Sequence, residues 1–120
     1  ILGIAALKWE ATFVYALDND PKALEHTQKN AYYNQIEDCL ITASSLPISL
    51  TIPPTLLVMN MTFAEQKLAL ASLPETPKIW ITSGILKKQK KAYISWAEKQ
   101  GLTIETFLEQ DQWLACLFKR

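Results

Sequence analysis

Cysteine, histidine and net charge are all scarce in these 120 residues, and each scarcity removes a class of function. The two cysteines, Cys39 and Cys116, lie far apart in apolar runs, without CxxC spacing and without a histidine beside them. They read as buried thiols of a reducing, cytoplasmic compartment rather than as a disulfide or a metal site. The single histidine, His26, sits between charged neighbours with no partner for acid–base or ligand work, so a solvated side chain and no metal are expected. Twelve basic and twelve acidic residues cancel, leaving no net field to draw in nucleic acid or an anionic membrane. The apolar runs are too short to span a bilayer, and no membrane contact is expected. Repeats, low-complexity stretches and long linkers are missing too, which predicts one domain over residues 1–120. The opening ILGIAALK has neither an initiating methionine nor a basic leader with a cleavage site, and it reads as a helix already under way. The expectation is a chain cut from something longer.

What is present suits a packed domain, since 49% of the residues are apolar. The helix over residues 1–9 is apolar around most of its surface. Residues 12–17 form a short run of aromatic and β-branched residues, a strand covered on both faces. It ends in the acidic cluster of ALDNDPKALE, residues 16–25, on which the reading turns. Asp20 before Pro21 is a helix start, with a carboxylate to cap free amides and a proline where no donor is needed. That helix runs to about residue 33. Further strands are predicted at 39–43, 55–59 and 79–83, broken by Ser44, Ser45 and Pro47, by Pro53 and Pro54, and by Gly84. A helix over 63–73 ends at the Pro74 to Pro77 segment. Ile85, Leu86, Gln89, Ala92, Tyr93 and Trp96 mark one face of another helix that stops before Gly101. Residues 102–108 and 112–118 are strands joined too closely for a crossover helix, hence an antiparallel hairpin. Alternating strands and helices imply an α/β fold with a mostly parallel sheet.

Three stretches together carry a resemblance: ALDNDPKALEHTQKNAYYN, VMNMTFAE, and ITSGILKKQ with the later DQWLACLFKR. They resemble the S-adenosylmethionine-dependent methyltransferases that modify ribosomal protein L11, over nearly the whole chain. The resemblance implies a Rossmann-like methyltransferase fold whose last two strands form a hairpin, here truncated at its N-terminal side. The family's first strand and its glycine-rich GxGxG loop precede the opening helix and are not in this sequence, nor is its separate substrate-recognition domain. The missing strand would lie between residues 12–17 and 55–59. Its loss would expose two unpaired edges, weaken cofactor binding and leave the fragment inactive and poorly folded by itself.

The resemblance also implies roles. Asp18 would hold the ribose hydroxyls of the cofactor, and Asp20 serves either as helix cap or as ligand contact. Ser44 and Ser45 either meet the adenine amino group or form a turn with local hydroxyl bonds. Asn60 is the implied catalytic residue, accepting a hydrogen bond from the acceptor amine within the cofactor site, unless it merely caps the next helix. Met61 and Thr62 depart from the family wording. Ser83 and Gly84 end a strand on the same edge, where Gly84 serves a tight turn. Lys87, Lys88, Lys90 and Lys91 form either a solvated face or a contact to ribosomal RNA. Trp80, Trp96 and Trp113 fit core or hairpin packing. The implied activity is transfer of methyl groups to amino groups, lysine or α-amine, of a ribosomal protein substrate. The alternatives are a cofactor-less interaction module of the same fold, or a methyltransferase acting on RNA or a small amine.

Overall fold

The computed structural model describes residues 1–45, 54–71, 73 and 77–120. Pro47, Pro53 and Pro74, read above as breakers, lie outside the described residues. The elements run α1 (Leu2–Lys8), β1 (Val14–Leu17), α2 (Pro21–Tyr33), β2 (Leu40–Ala43), β3 (Leu56–Asn60), α3 (Phe63–Ala71), β4 (Ile79–Leu86), α4 (Lys90–Lys99), β5 (Thr103–Gln110) and β6 (Trp113–Lys119). Single 3-10 turns precede β2 and α4. The chain divides into two compact units, Ile1–Leu50 and Thr51–Arg120.

In the first unit β1 and β2 pair in parallel, Val14 opposite Leu40 through Leu17 opposite Ala43. α1 packs on β1 and α2 on β2. Gly3 permits the first contact, because a Cβ there would meet Val14 Cγ1 at 2.8 Å. α2 starts as its sequence dictates: Asp20 caps it, accepting from the Lys22 amide at 2.9 Å, and Pro21 takes the first turn. Gln28 Nε2 then donates to Thr42 Oγ1 at 2.7 Å, fastening the helix to its strand. Among the described residues Ala31 and Leu40 are this unit's buried apolar ones.

In the second unit the strand order is β3-β4-β6-β5, with β3–β4 parallel and both pairings of β6 antiparallel. β6 alternates cleanly, burying Leu114, Cys116 and Phe118. They meet Trp80 and Ile85 of β4, Met59 of β3, Leu102, and Tyr93 and Ala97 of α4 in one core. Phe63, Trp96 and Tyr93 add ring contacts, the Phe63 and Tyr93 centroids standing 5.0 Å apart edge to face. Each large side chain so buried contributes roughly 1.5–3 kcal/mol of transfer free energy. The opposite face of this sheet is more open, with Val58, Ile79 and Ile81 exposed, as is Leu17 in the first unit. An apolar run shows that a strand can be covered on both faces, not that it is.

Two boundaries differ from expectation for one reason. β4 does not stop at Gly84; it continues to Leu86 through a bulge. Thr82 faces Cys116 and Ile85 faces Leu114, so Ser83 and Gly84 together oppose Ala115. The bulge resets the alternation, which lets Ile85 follow Trp80 and Thr82 into the core. Ile85 and Leu86 are therefore strand, and α4 begins only at Lys90.

Among the described residues β1 pairs only with β2, and β3 pairs on one side only, with β4. The outer strand β5 has a bulge between Ile104 and Thr106 and carries Glu105 and Glu109, devices that discourage further pairing. β1 and β3 carry no such charges and keep bare edges.

Candidate functional site

Parallel strands deliver their carboxyl ends to one edge of a sheet, and loops there are the usual place for ligand contacts. In the first unit this edge holds Asp18, which follows Leu17, and Ser44 and Ser45, which follow its partner Ala43. All three are exposed. Asp18 Oδ1 accepts the Asp20 amide at 2.9 Å, which ties the carboxylate to the start of α2. Its other oxygen has no protein hydrogen bond among the described residues. Asp20 likewise spends one oxygen, on the cap of α2, so each of the two carboxylates keeps one oxygen free to accept at this strand end among the described residues. Ser44 and Ser45 lie in a bend directly after β2.

In the second unit the carboxyl ends of its own parallel strands carry Asn60 and Ser83, paired across β3 and β4. Asn60 is the last residue of its strand and is exposed. It does not cap the helix that follows. Thr62 does, in a reciprocal box: its Oγ1 accepts from the Glu65 amide at 3.4 Å, and Glu65 Oε2 accepts from the Thr62 amide at 2.8 Å and hydroxyl at 2.7 Å. These bonds hold the Glu65 carboxyl below its ordinary range. The TF wording at this point thus has a local structural cause, and the Asn60 side chain is spared for other work.

The hairpin completes the surroundings. β5 and β6 are joined through Asp111 and Gln112, Asp111 adopting φ 51°, a left-handed conformation that an aspartate tolerates. Lys87 donates its backbone amide to Gln112 O at 2.8 Å, fixing the turn against the connection into α4. Asn60, Ser83, Gly84, Leu108, Gln110, Asp111, Trp113, Leu114 and Ala115 together line an open cleft of about 480 Å³. Asp111 is the one ionisable side chain in that lining, and Leu108 and Trp113 offer apolar walls. Trp113 stands in the hairpin, opposite Gln110, and at 45% exposure also lines the cleft, whereas Trp80 is fully buried with its ring tilted against Trp96 at 6.2 Å. Asp111 and Trp113 were hidden in the sequence because only the hairpin register brings them beside Asn60.

The corner next to Asn60 is held from beneath. Gln66, fully buried on α3, donates Nε2 to Met61 O and to Ser83 O, both at 2.9 Å. Its Oε1 accepts the Tyr93 hydroxyl at 2.6 Å. Burial pushes the Tyr93 phenol above its ordinary range, opposed in part by the nearby Thr82 hydroxyl and reinforced by Cys116. Thr82 Oγ1 makes no bond of hydrogen-bonding geometry among the described residues, so its influence on the phenol is one of proximity. Gln66 had no signal in the sequence beyond its place in a helix.

Other candidates fall outside these edges. Lys87 and Lys90 pair with Glu109 at 3.2 and 2.8 Å, and Lys90 also sits 3.2 Å from the Phe107 ring centroid. Glu109 is held below its usual range by Lys90 and then Lys87. Two of the four lysines are thus occupied within the chain, which leaves a contact to ribosomal RNA without support. Both cysteines are free; Cys116 is buried, its thiol pushed up to about 11 chiefly by desolvation, while Cys39 is only half-buried. His26 is exposed on α2. Among the described residues no cluster of His, Cys, Asp and Glu is arranged to hold a metal, and no helix is long and apolar enough to cross a membrane.

Parallel strands with polar residues at their carboxyl ends, followed by an antiparallel hairpin, define a Rossmann-like methyltransferase fold, and solved structures agree. A ribosomal protein L11 methylase from Lactobacillus delbrueckii subsp. bulgaricus superposes with TM-score 0.82 at 22% identity, over 99% of this chain and 63% of that one. The M. capricolum TrmK in complex with S-adenosyl-homocysteine gives TM-score 0.72 at 15% identity, over 99% and 56%. Sequence is more specific. The family model described as ribosomal protein L11 methyltransferase (PrmA) matches residues 1–120. Ribosomal protein L11 methyltransferases of Bacillus cereus (strain B4264) and Bacillus anthracis (strain A0248) are 34% identical over 98% of the chain. The chain belongs to the ribosomal protein L11 methyltransferase family, and it spans 39% of the length of these curated relatives.

Proposed function

We propose that this chain carries acceptor and cofactor residues of a methyltransferase that modifies amino groups, lysine or α-amine, of a ribosomal protein, the substrate that the relatives' names give as L11. The observation that carries the amine reading is the cleft beside Asn60, with a carboxylate at Asp111 and apolar walls at Leu108 and Trp113. A long amino side chain matches that lining, its stem against the walls and its cationic head drawn toward Asp111. S-adenosylmethionine, when bound, supplies the methyl group.

Asp18 fits the cofactor's ribose, because its unbonded oxygen can accept hydroxyl protons while the bond to Asp20 fixes the carboxylate. Ser44 and Ser45, exposed at the neighbouring strand end, are placed to offer hydroxyls to the adenine amino group. Asn60 accepts a hydrogen bond from the neutral amine and thereby orients its lone pair, a contribution of position rather than of acid–base chemistry. The amine reaches the neutral form by giving its proton to water, a step that the apolar walls favour and that the Asp111 carboxylate opposes. A ribosomal substrate places the reaction in the cytoplasm.

The test is transfer of labelled methyl from S-adenosylmethionine by the intact protein to ribosomal protein L11, with peptide mapping of the product. Label on lysine ε-amines or the α-amine supports the reading. Label confined to RNA, or no cofactor binding at all, contradicts it and favours an RNA enzyme or an interaction module.

A further inference from the structure

Most of the cleft lining needs no help to stay in place, but the Asn60 corner does. The β4 bulge interrupts the β4–β6 register between Thr82 and Ile85, so Ser83 and Gly84 lack regular pairing on the β6 side, and Ser83 is paired with Asn60 at the last position of the β3–β4 ladder. Gly84, at φ 83°, lies so close to the corner that a Cβ would meet Met61 O at 2.6 Å. Two backbone carbonyls converge here, Met61 O just beyond Asn60 in the chain and Ser83 O from its partner across the ladder. Ser83 O already accepts the Met61 amide at 3.3 Å.

One buried side chain bonds to both carbonyls. The Gln66 amide nitrogen has two protons and spends them on Met61 O and Ser83 O, while its oxygen accepts from Tyr93. The opposite amide orientation would set an oxygen against two carbonyls, acceptor against acceptor, so the network favours this arrangement. A buried polar network satisfied at every member is rigid, and breaking one link leaves orphaned groups that cannot reach water. Hydrophobic packing needs none of this: a leucine would fill the same helix position without the risk.

We propose that Gln66 is a positioning residue for methyl transfer, anchored by Tyr93, which clamps the carboxyl ends of β3 and β4 and so fixes the backbone from which Asn60 reaches the acceptor amine. This rests on the reading of Asn60 given above. Gln66 is fully buried and is not among the residues that line the cleft, so its part is to set where the Asn60 amide stands.

The test uses the intact protein and three variants. Gln66→Leu removes both donors at similar volume and is expected to lower kcat by about ten- to a hundredfold, with cofactor KM within about twofold. Amide exchange at Met61 rises at least about tenfold, while Leu114 and Phe118 in β6 keep their protection. Gln66→Glu is impaired at neutral pH and, relative to wild type at the same pH, partly recovers on acidification, when the protonated carboxyl can again donate to one carbonyl. Tyr93→Phe, which deletes only the anchor, shows the same split at smaller size, and it decides the matter if Gln66→Leu does not fold. Unchanged kcat and unchanged Met61 exchange in a folded Gln66→Leu, or in Tyr93→Phe where that variant decides, would overturn the clamp. Should the wild-type protein methylate no amine, the acceptor reading fails, and Met61 exchange still decides whether Gln66 holds the corner.

Discussion

The two units share a plan and differ in what holds it. Each brings parallel strands to one edge and follows a strand with a capped helix, Asp20 before α2 and Thr62 before α3. The second unit is built around a nine-residue core in which Trp80, Ile85, Tyr93, Leu114 and Phe118 are fully buried. The first buries Ala31 and Leu40, while Trp9, Tyr32 and Tyr33 are largely exposed. A pair of strands with two helices has little apolar surface to bury, so caps and side-chain bonds such as Gln28 to Thr42 carry a larger share of its order. The lesson is a division of duty. On the reading proposed above, the loosely packed unit would present Asp18 for a binding contact, whereas the tightly packed unit would present Asn60, whose work would depend on position.

The comparison can be broken most forcefully in the cores. Phe118→Ala should cost about 3–5 kcal/mol, and Leu40→Ala in the thinner unit about 2 kcal/mol, because an open site relaxes around a smaller loss. Denaturant titration of the intact protein, followed by tryptophan fluorescence, measures both. Equal costs would mean that the first unit is packed as tightly as the second.

The caps offer a finer test. Asp20→Ala and Thr62→Ala should each cost about 1 kcal/mol of helix stability. The Thr62 box adds a pH signature. Glu65 is held below its ordinary value when folded, so its contribution is complete above the unfolded value of 4.5 and is lost as pH falls through the lower folded value. Amide exchange at Glu65 should therefore increase below that range in wild type, and should lose this acid response in Glu65→Gln.

Much of this was legible in the chain. The Asp20–Pro21 start of α2 follows from local chemistry alone, and so does the hairpin, since two apolar strands with almost nothing between them have no other option. Local reading failed where a residue's meaning depends on its neighbours in space. Gly84 reads as a stop but sits in a bulge, because its positive φ serves the approach to Met61 rather than a turn out of the sheet. Leu17 reads as part of a doubly covered strand yet is exposed, because composition does not reveal which face finds a partner. Asp18 and Asn60 stood out as polar residues ending apolar strands. Gln66 could not, because a glutamine inside a helix is ordinary until the carbonyls above it are seen.

The central claim is that binding and positioning are divided between Asp18 and Asn60, and the kinetics of two variants of the intact protein test it most directly. With S-adenosylmethionine and ribosomal protein L11 as substrates, Asn60→Ala should lower kcat about a hundredfold and leave cofactor affinity unchanged. Asp18→Ala should weaken cofactor binding about ten- to a hundredfold while kcat at saturation stays near wild type. Variants that lose binding and turnover together, or that lose neither, would contradict the division.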